Sequence, residues 1–525
     1  MDGFRDQLVA DLAIEIRVAQ QLDDLVRALG GNGLPLRDPC MAGTRLDILQ
    51  EIESGIKNTS SHNVIWIRGT PGVGKTALAA SITSRLQSQN RHVIWFRFDR
   101  TQSTTITTEA LWRVVACSLA RQYPSLRQHL AQGNTELSSS SIDHILETLI
   151  EKPILTLDGV SHEELPVIVM DALDECGGFR HDPSGRKDYD ALLRTLRQWV
   201  EVDHLKKFKL VITSRPDSRI TQNFPDTIST YINTPSGTGV KPEDSASDDI
   251  RKFLKSRFNK MDVEPAWITK ALDYLVPRAL GVFIWALTVA DFLQHNPRER
   301  FDILEKRKRG DDMEGLYDLD SLYLTVIKTS FGRALEPEIK AITSVVGATI
   351  FAKQPLDDNV LMRLPGVESA HMFKYIRNGL MSVIDSGPIL RFHHKSFEDF
   401  LFSPSFRQHL PKFSDVQDRN LHERQLSVLC LDCMVSSELH FNMCNLQSSN
   451  IKNVDIPVSD KSAISPLVLY SSTFWADHLI HTPYEETSME AVKFVMYEKL
   501  LFWVEVMSIS GKAHEVYFIL KRALE

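Results

Sequence analysis

The stretch Gly69-Thr70-Pro71-Gly72-Val73-Gly74-Lys75-Thr76 follows an apolar run, Val64-Ile65-Trp66-Ile67, and precedes an alanine-rich helical run from Ala77 to Leu86. Strand, glycine loop and helix in that order give the spacing GxxxxGK[ST] its phosphate-binding meaning. Glycines let backbone N–H groups turn inward around phosphate oxygens, and the helix N-terminus adds partial positive charge. Lys75 is then expected to reach the β- and γ-phosphates of a nucleotide and Thr76 to hold Mg²⁺. The alternative, a structural glycine turn, leaves the flanking strand and helix unexplained.

Two further strands are expected to end in polar residues near that loop. Leu165-Pro166-Val167-Ile168-Val169-Met170 runs into Asp171, and a carboxylate at the C-terminal end of a parallel strand faces a bound nucleotide. Asp171 is therefore the expected Mg²⁺ partner, and Asp174 and Glu175 are candidates to orient and polarise an attacking water. A strand cap followed by solvated acids is the alternative reading. Lys209-Leu210-Val211-Ile212-Thr213-Ser214 delivers Arg215 in the same way. A guanidinium matches phosphate oxygens bidentately, so Arg215 is a candidate γ-phosphate sensor; a surface arginine is the alternative. The apolar run Val93 to Phe98 and the segment Ile228 to Ile232 supply the remaining strands. Helical segments (Thr108 to Gln122, Ser141 to Leu149, Tyr189 to Val200) alternate with them, which predicts an α/β phosphate-loop NTPase with a parallel doubly wound sheet.

Beyond a Pro/Gly/Ser/Asp-rich loop at 234–247 the periodicity is helical. Asp248 to Phe258, Pro265 to Leu275, Gly281 to Gln294 and Pro297 to Lys306 read as a small bundle. Asn259-Lys260-Met261-Asp262 matches the guanine-reading motif NKxD but ends a charged helix instead of a strand. Lys306-Arg307-Lys308-Arg309 resembles an import signal, yet Asp311 and Asp312 follow and favour a solvated helix end. Helices at 316–333, 336–351, 357–364 and 369–378 precede Met381 to Ile384 and Ile389 to Phe392, which flank turn residues Asp385 to Pro388 and are expected to pair as the wing of a winged helix. His393 and His394 follow, unassigned by composition. Cys430, Cys433, His440 and Cys444 suggest zinc, but Leu426 to Met434 reads as one amphipathic helix, so buried thiols are expected.

The composition of the 525 residues is ordinary: 43% hydrophobic, 24% charged, net charge −8. Nothing in it recruits nucleic acid or an anionic membrane. Six irregularly placed cysteines form no disulfide framework and fit a reducing compartment. Met1 to Asp6 lacks the basic and apolar regions of a signal peptide. The longest apolar stretch, Ala279 to Ala290, falls short of the roughly 20 residues that span a bilayer. A cytoplasmic protein is expected. Residues 8–29 place Leu8, Leu12, Ile16, Ala19, Leu22, Val26 and Leu29 on one helical stripe, suited to self-association or to packing on the next domain.

Loop, aspartate strand, arginine strand, helical lid and winged helix in that order resemble NACHT-domain proteins of the STAND class of signalling ATPases. The resemblance is to the fungal, basidiomycete-type NOD-like receptors with a nephrocystin-like nucleotide module. It covers about residues 35 to 525 and rests on Cys40-Met41-Ala42-Gly43-Thr44-Arg45, Gly69 to Thr76, Asp171-Ala172-Leu173-Asp174-Glu175-Cys176 and Ile212-Thr213-Ser214-Arg215-Pro216. Gly281 to Ala286 looks like the family's lid helix and Leu469 to Trp475 like its late helical segment. The resemblance implies that Thr44 and Arg45 join the nucleotide site and that His394, in the context His394-x-Ser396-Phe397, touches the β-phosphate of ADP and locks a resting state. Leu280 stands where the fungal lid often has a second glycine.

The division implied is 1–33 N-terminal helix and linker, 34–235 nucleotide-binding domain, 236–310 helical lid, 311–420 winged helix and 421–525 C-terminal helical domain. The function implied is an ATP/ADP switch that opens and self-associates, a weak ATPase at most, acting in innate-immune-like non-self recognition or regulated cell death. The family's C-terminal repeat sensor and larger N-terminal effector are absent from this sequence. Sensor and output are expected to be missing, supplied by another chain, or lost by truncation. The rival readings are a steady-turnover ATPase of remodeller or kinase type and an adaptor that keeps a nucleotide only for stability.

Overall fold

Five short strands form one wholly parallel sheet in the computed structural model of the chain: β1 (Val64–Arg68), β2 (Val93–Arg97), β3 (Val167–Asp171), β4 (Lys209–Ser214) and β5 (Ser229–Asn233). Their spatial order is β2-β3-β4-β1-β5. The structure describes residues 36–58, 62–102, 106–126, 141–157, 159–177, 183–224, 229–234, 244–306, 319–367, 369–385, 387–448, 450–453 and 455–523. The expected helix at 8–29, its glycine linker, the basic run from Arg307 to Arg309 and residues 235–243 of the boundary loop lie outside these. The chain divides into two compact units, Met1–Leu287 and Thr288–Glu525.

In the first unit, side chains alternate between the two faces of each strand, so β1 to β4 each serve two cores, while the edge strand β5 gives Ile232 to one of them. Val64, Trp66, Ile94, Phe96, Ile168, Met170, Leu210 and Ile212 pack on one face against helices Thr108–Gln122 and Pro183–Glu201, with Trp112 stacked on Trp199 at 5.4 Å. Ile65, Ile67, Val167, Val169, Val211 and Ile232 pack on the other face against helices Leu46–Lys57 and Lys75–Ser88. Two apolar faces explain why the strands read as continuous apolar runs. Parallel pairing also puts all five C-terminal ends on one edge, where the phosphate loop, Asp171 and Arg215 leave the sheet. Helices Ser245–Phe258 and Pro265–Ala279 follow; Asn259 and Lys260 lie just past the first, at no strand end.

The second unit is helical among its described residues. Tyr323 on Leu319–Phe331 meets Phe397 and Phe400 on Lys395–Leu401 at 5.0 and 5.6 Å between ring centroids, and Phe392 completes the cluster. The expected four-residue hairpin is shorter than its sequence suggests. Pairing reduces to one antiparallel bridge, Ile384 with Phe392, flanked by Asp385 N–H to the Arg391 carbonyl (2.8 Å) and His393 N–H to the Val383 carbonyl (2.9 Å). The cause lies in the preceding helix. The N–H groups of Met381 and Val383 are already given to the carbonyls of Asn378 and Leu380, so they have nothing left for a ladder. Helix Arg419–Val435 contains Leu426 to Met434 without a break and buries Cys430 and Cys433. Among the described residues no helix is long and apolar enough to cross a membrane.

Candidate functional site

The loop after β1 is shaped by two glycines in the left-handed region, Gly72 (φ 79°) and Gly74 (φ 93°). Gly72 also tolerates no side chain, because a Cβ there would collide with Ile284. Ile284 N–H in turn donates to the Gly72 carbonyl at 2.9 Å, tying the start of helix Phe283–Leu293 to the loop. Helix Lys75–Ser88 begins at Gly74 with no capping side chain, so its first-turn N–H groups suit an anion. Lys75 Nζ curls back onto the carbonyls of Gly69 (2.8 Å) and Thr70 (2.9 Å). Burial pushes the Lys75 ammonium down to about 8; Arg215 adds to that, while Asp174, Asp171 and Glu175 oppose it. A buried cation in such a state is stabilised by any anion that reaches the loop.

Asp171 is fully buried at the end of β3. Its Oδ1 accepts the hydroxyls of Thr213 (2.5 Å) and Thr76 (3.2 Å). Its Oδ2 accepts no hydrogen bond among the described residues; the nearest cation, Arg97 Nε, stands 4.0 Å away. Burial raises the Asp171 carboxyl, and the Thr213 hydroxyl, Arg97, Thr76 and Lys75 only partly oppose it. Thr213 works twice, since its oxygen also accepts Ala172 N–H at 2.9 Å. That bond holds Ala172 in the left-handed region (φ 57°), and the chain then folds into the short turn Leu173–Glu175. The turn brings Asp174 against Arg215: Asp174 Oδ1 accepts the backbone N–H of Arg215 at 3.1 Å and Oδ2 lies 3.4 Å from its Nε. Glu175 accepts the N–H of Arg100 at 3.3 Å.

The sequence-derived set thus converges at one edge of the sheet for Gly69 to Thr76, Asp171, Asp174, Glu175 and Arg215. Arg45 reaches the loop, whereas Thr44 bonds within the turn that precedes it. The Thr44 hydroxyl donates to the Met41 carbonyl (2.7 Å), while the Arg45 guanidinium donates to the Val73 carbonyl (2.9 Å) and stacks over Phe283 at 4.7 Å. Arg45 N–H goes to Asp249 Oδ2 (2.9 Å). His394 belongs to the second unit and caps helix Lys395–Leu401: its Nδ1 accepts Ser396 N–H at 3.0 Å and lies 2.7 Å from Ser396 Oγ, which is 2.8 Å from Tyr323 OH. With Nδ1 accepting, the neutral ring carries its proton on Nε2. Beside it His393 lies between Asp385 (2.8 Å from Nδ1) and Asp291 (3.6 Å from Nε2).

Two site residues had no role in the sequence reading, Thr213 and Arg97. The signal for both is a polar residue at the end of an otherwise apolar strand, in register beside Asp171: Arg97 pairs with it directly across β2 and β3. The donors are hard oxygens, the Thr76 hydroxyl and a carboxylate with one buried oxygen unsatisfied. That set suits Mg²⁺ and no soft metal.

Residues 43–215 match the model of the family described as Nephrocystin 3, N-terminal. The vegetative incompatibility protein HET-E-1 of Podospora anserina is 24% identical over 561 residues, an alignment that takes in 97% of this chain but 37% of that protein. Among solved structures, the STAND protein with a tetratricopeptide repeat sensor from Pyrococcus horikoshii is 14% identical with a TM-score of 0.39, covering 93% of this chain and 64% of that one. The ORC2 protein of Aeropyrum pernix is 13% identical with a TM-score of 0.33, covering 73% and 96%. Phosphate loop, buried Asp171, Arg215 strand and family match together make residues 43–215 a phosphate-loop NTPase module similar to the Nephrocystin 3 N-terminal family.

Proposed function

We propose that the chain is a nucleotide-operated switch: ADP holds a resting state through Lys75 and His394, and exchange for ATP with Mg²⁺ releases it and favours self-association. The observation that carries this reading is the closed Asp174–Arg215 pair. A γ-phosphate at the sheet edge competes with Asp174 for the guanidinium, whereas a diphosphate leaves the pair intact. A ligand shifts a conformational equilibrium only by its differential affinity for the two states, and Arg215 is where that difference arises. The same pairing keeps Asp174 occupied, which suits slow hydrolysis; Glu175, which accepts Arg100 N–H, is the second candidate to polarise water. Mg²⁺ held by Thr76 and Asp171 supplies neutralisation of phosphate charge when bound. Arg45 borders the nucleotide through the loop and Phe283, and Thr44 beside it is taken as part of the same set.

His394 enters through its tautomer. Ser396 and Tyr323 keep Nδ1 as an acceptor, so Nε2–H is the ring's donor, as contact with a β-phosphate oxygen requires. The name of the curated relative, a vegetative incompatibility protein, supports a place in non-self recognition; regulated cell death as output and a further sensor or effector chain as partner complete the proposal. The test is His394→Ala in protein loaded with a fluorescent ADP. Faster ADP release, by about tenfold as expected for loss of one charge-assisted bond, with ATP-dependent self-association by light scattering, supports the lock. Unchanged release removes it. Lys75→Ala is expected to abolish retention of either nucleotide.

A further inference from the structure

We infer that Arg97 is the resident counter-charge of Asp171: it neutralises the carboxylate while no divalent cation is bound and thereby sets the Mg²⁺ concentration at which the site fills. The inference rests on Asp171 being the cation's partner. Three observations carry it. Asp171 is fully buried and its Oδ2 has no hydrogen-bond donor among the described residues, so an ionised carboxylate there needs a positive charge nearby. Arg97 is the side chain in register with it across the sheet, and its Nε stands 4.0 Å from that oxygen, within ion-pair range but beyond a hydrogen bond. The guanidinium is held at that distance by Asp99, whose Oδ2 receives Arg97 NH2 at 3.2 Å.

The tether is the informative part. An arginine that closed on Oδ2 would make a direct ion pair and block a metal; one pointing into solvent would leave only Lys75, the weaker influence, to balance the buried charge. Arg97 does neither. Its charge acts on Oδ2 through space while no hydrogen-bond donor occupies the lone pairs of that oxygen among the described residues. Arg97 and Mg²⁺ then compete electrostatically for one carboxylate, and the arginine is a positioning residue, since it acts through Asp171.

The experiment compares wild type with Arg97→Gln, Arg97→Lys, Asp99→Asn and Asp171→Asn. Three quantities are measured: the melting temperature in EDTA without nucleotide, the thermal shift that ADP gives in EDTA, and the Mg²⁺ concentration giving half of the thermal shift at fixed ADP. Arg97→Gln is expected to melt several degrees lower in EDTA and to need about three- to tenfold less Mg²⁺, because the competing charge is gone. Arg97→Lys keeps the charge and stays near wild type in both. Asp99→Asn lets the guanidinium close on Asp171 and raises the Mg²⁺ requirement. Asp171→Asn abolishes the Mg²⁺ dependence, and adding Arg97→Gln to it causes no further loss. If Asp171→Asn leaves the Mg²⁺ requirement unchanged, the metal assignment itself fails. If Asp171→Asn behaves as expected but Arg97→Gln leaves the Mg²⁺ midpoint unmoved, or weakens ADP binding in EDTA, the counter-charge role is overturned, the latter result making Arg97 a phosphate ligand.

Discussion

Among the described residues two carboxylates have no solvent exposure, Asp171 in the first unit and Glu423 in the second, and their surroundings are opposite. Glu423 has both oxygens engaged. Oε1 meets Lys353 Nζ at 3.0 Å and Arg419 Nε at 3.3 Å, and Oε2 accepts His478 Nδ1–H at 2.6 Å. The network continues: His478 Nε2 accepts the Tyr470 hydroxyl at 2.7 Å, and the Tyr470 oxygen accepts Lys353 N–H at 3.1 Å. Burial works to raise Glu423, but His478 and Lys353 outweigh it and hold the carboxyl down to about 2. Asp171 has one oxygen unsatisfied and is raised. A buried charge whose bonds are complete fixes structure; one left incomplete, beside a phosphate loop, marks where a ligand finishes the network.

The strongest test of this contrast is Glu423→Gln. It leaves Lys353 without its buried partner and is expected to destabilise the second unit by about 3–5 kcal/mol, read by urea unfolding. A loss below about 1 kcal/mol would erase the distinction. Asp171→Asn is expected to change the stability of the ligand-free protein by no more than about 1 kcal/mol, since it removes an incompletely balanced charge, while removing the Mg²⁺ response of nucleotide binding.

The acid limb of stability sharpens the same comparison. Glu423, lowered from 4.5 by His478 and Lys353, contributes stability that is present above that value and lost as pH falls toward about 2. The second unit therefore loses stability on acidification below about 4.5. In Glu423→Gln that loss should shrink, as followed by melting temperature against pH. The smallest effect is expected for Arg419→Ala. Half of that side chain is exposed, and Lys353 and His478 still satisfy Glu423, so the cost is about 0.5 kcal/mol.

The contrast also shows what can be read from sequence. The phosphate loop and Asp171 announce themselves because each needs only a local pattern, an apolar strand followed by the right residue type. Asp174 and Arg215 are legible singly, but their pairing depends on the left-handed turn at Ala172, which the Thr213 hydroxyl holds from a neighbouring strand. Thr213 and Arg97 became site residues only through strand order: β3 lies between β2 and β4, and no spacing in the chain states that. The Glu423 network is less legible still, its members at 353, 419, 423, 470 and 478 being brought together by helix packing alone. The shortened hairpin has a local cause that patterning misses, the prior use of two backbone donors by the end of a helix.

The measurement that tests the account most directly is the nucleotide retained by the purified protein, released by denaturation and resolved by ion-exchange chromatography. Close to one ADP per chain, lost in Lys75→Ala, is the predicted result. An empty site in wild-type protein that turns over ATP rapidly would contradict the switch and place the chain among steady-turnover ATPases.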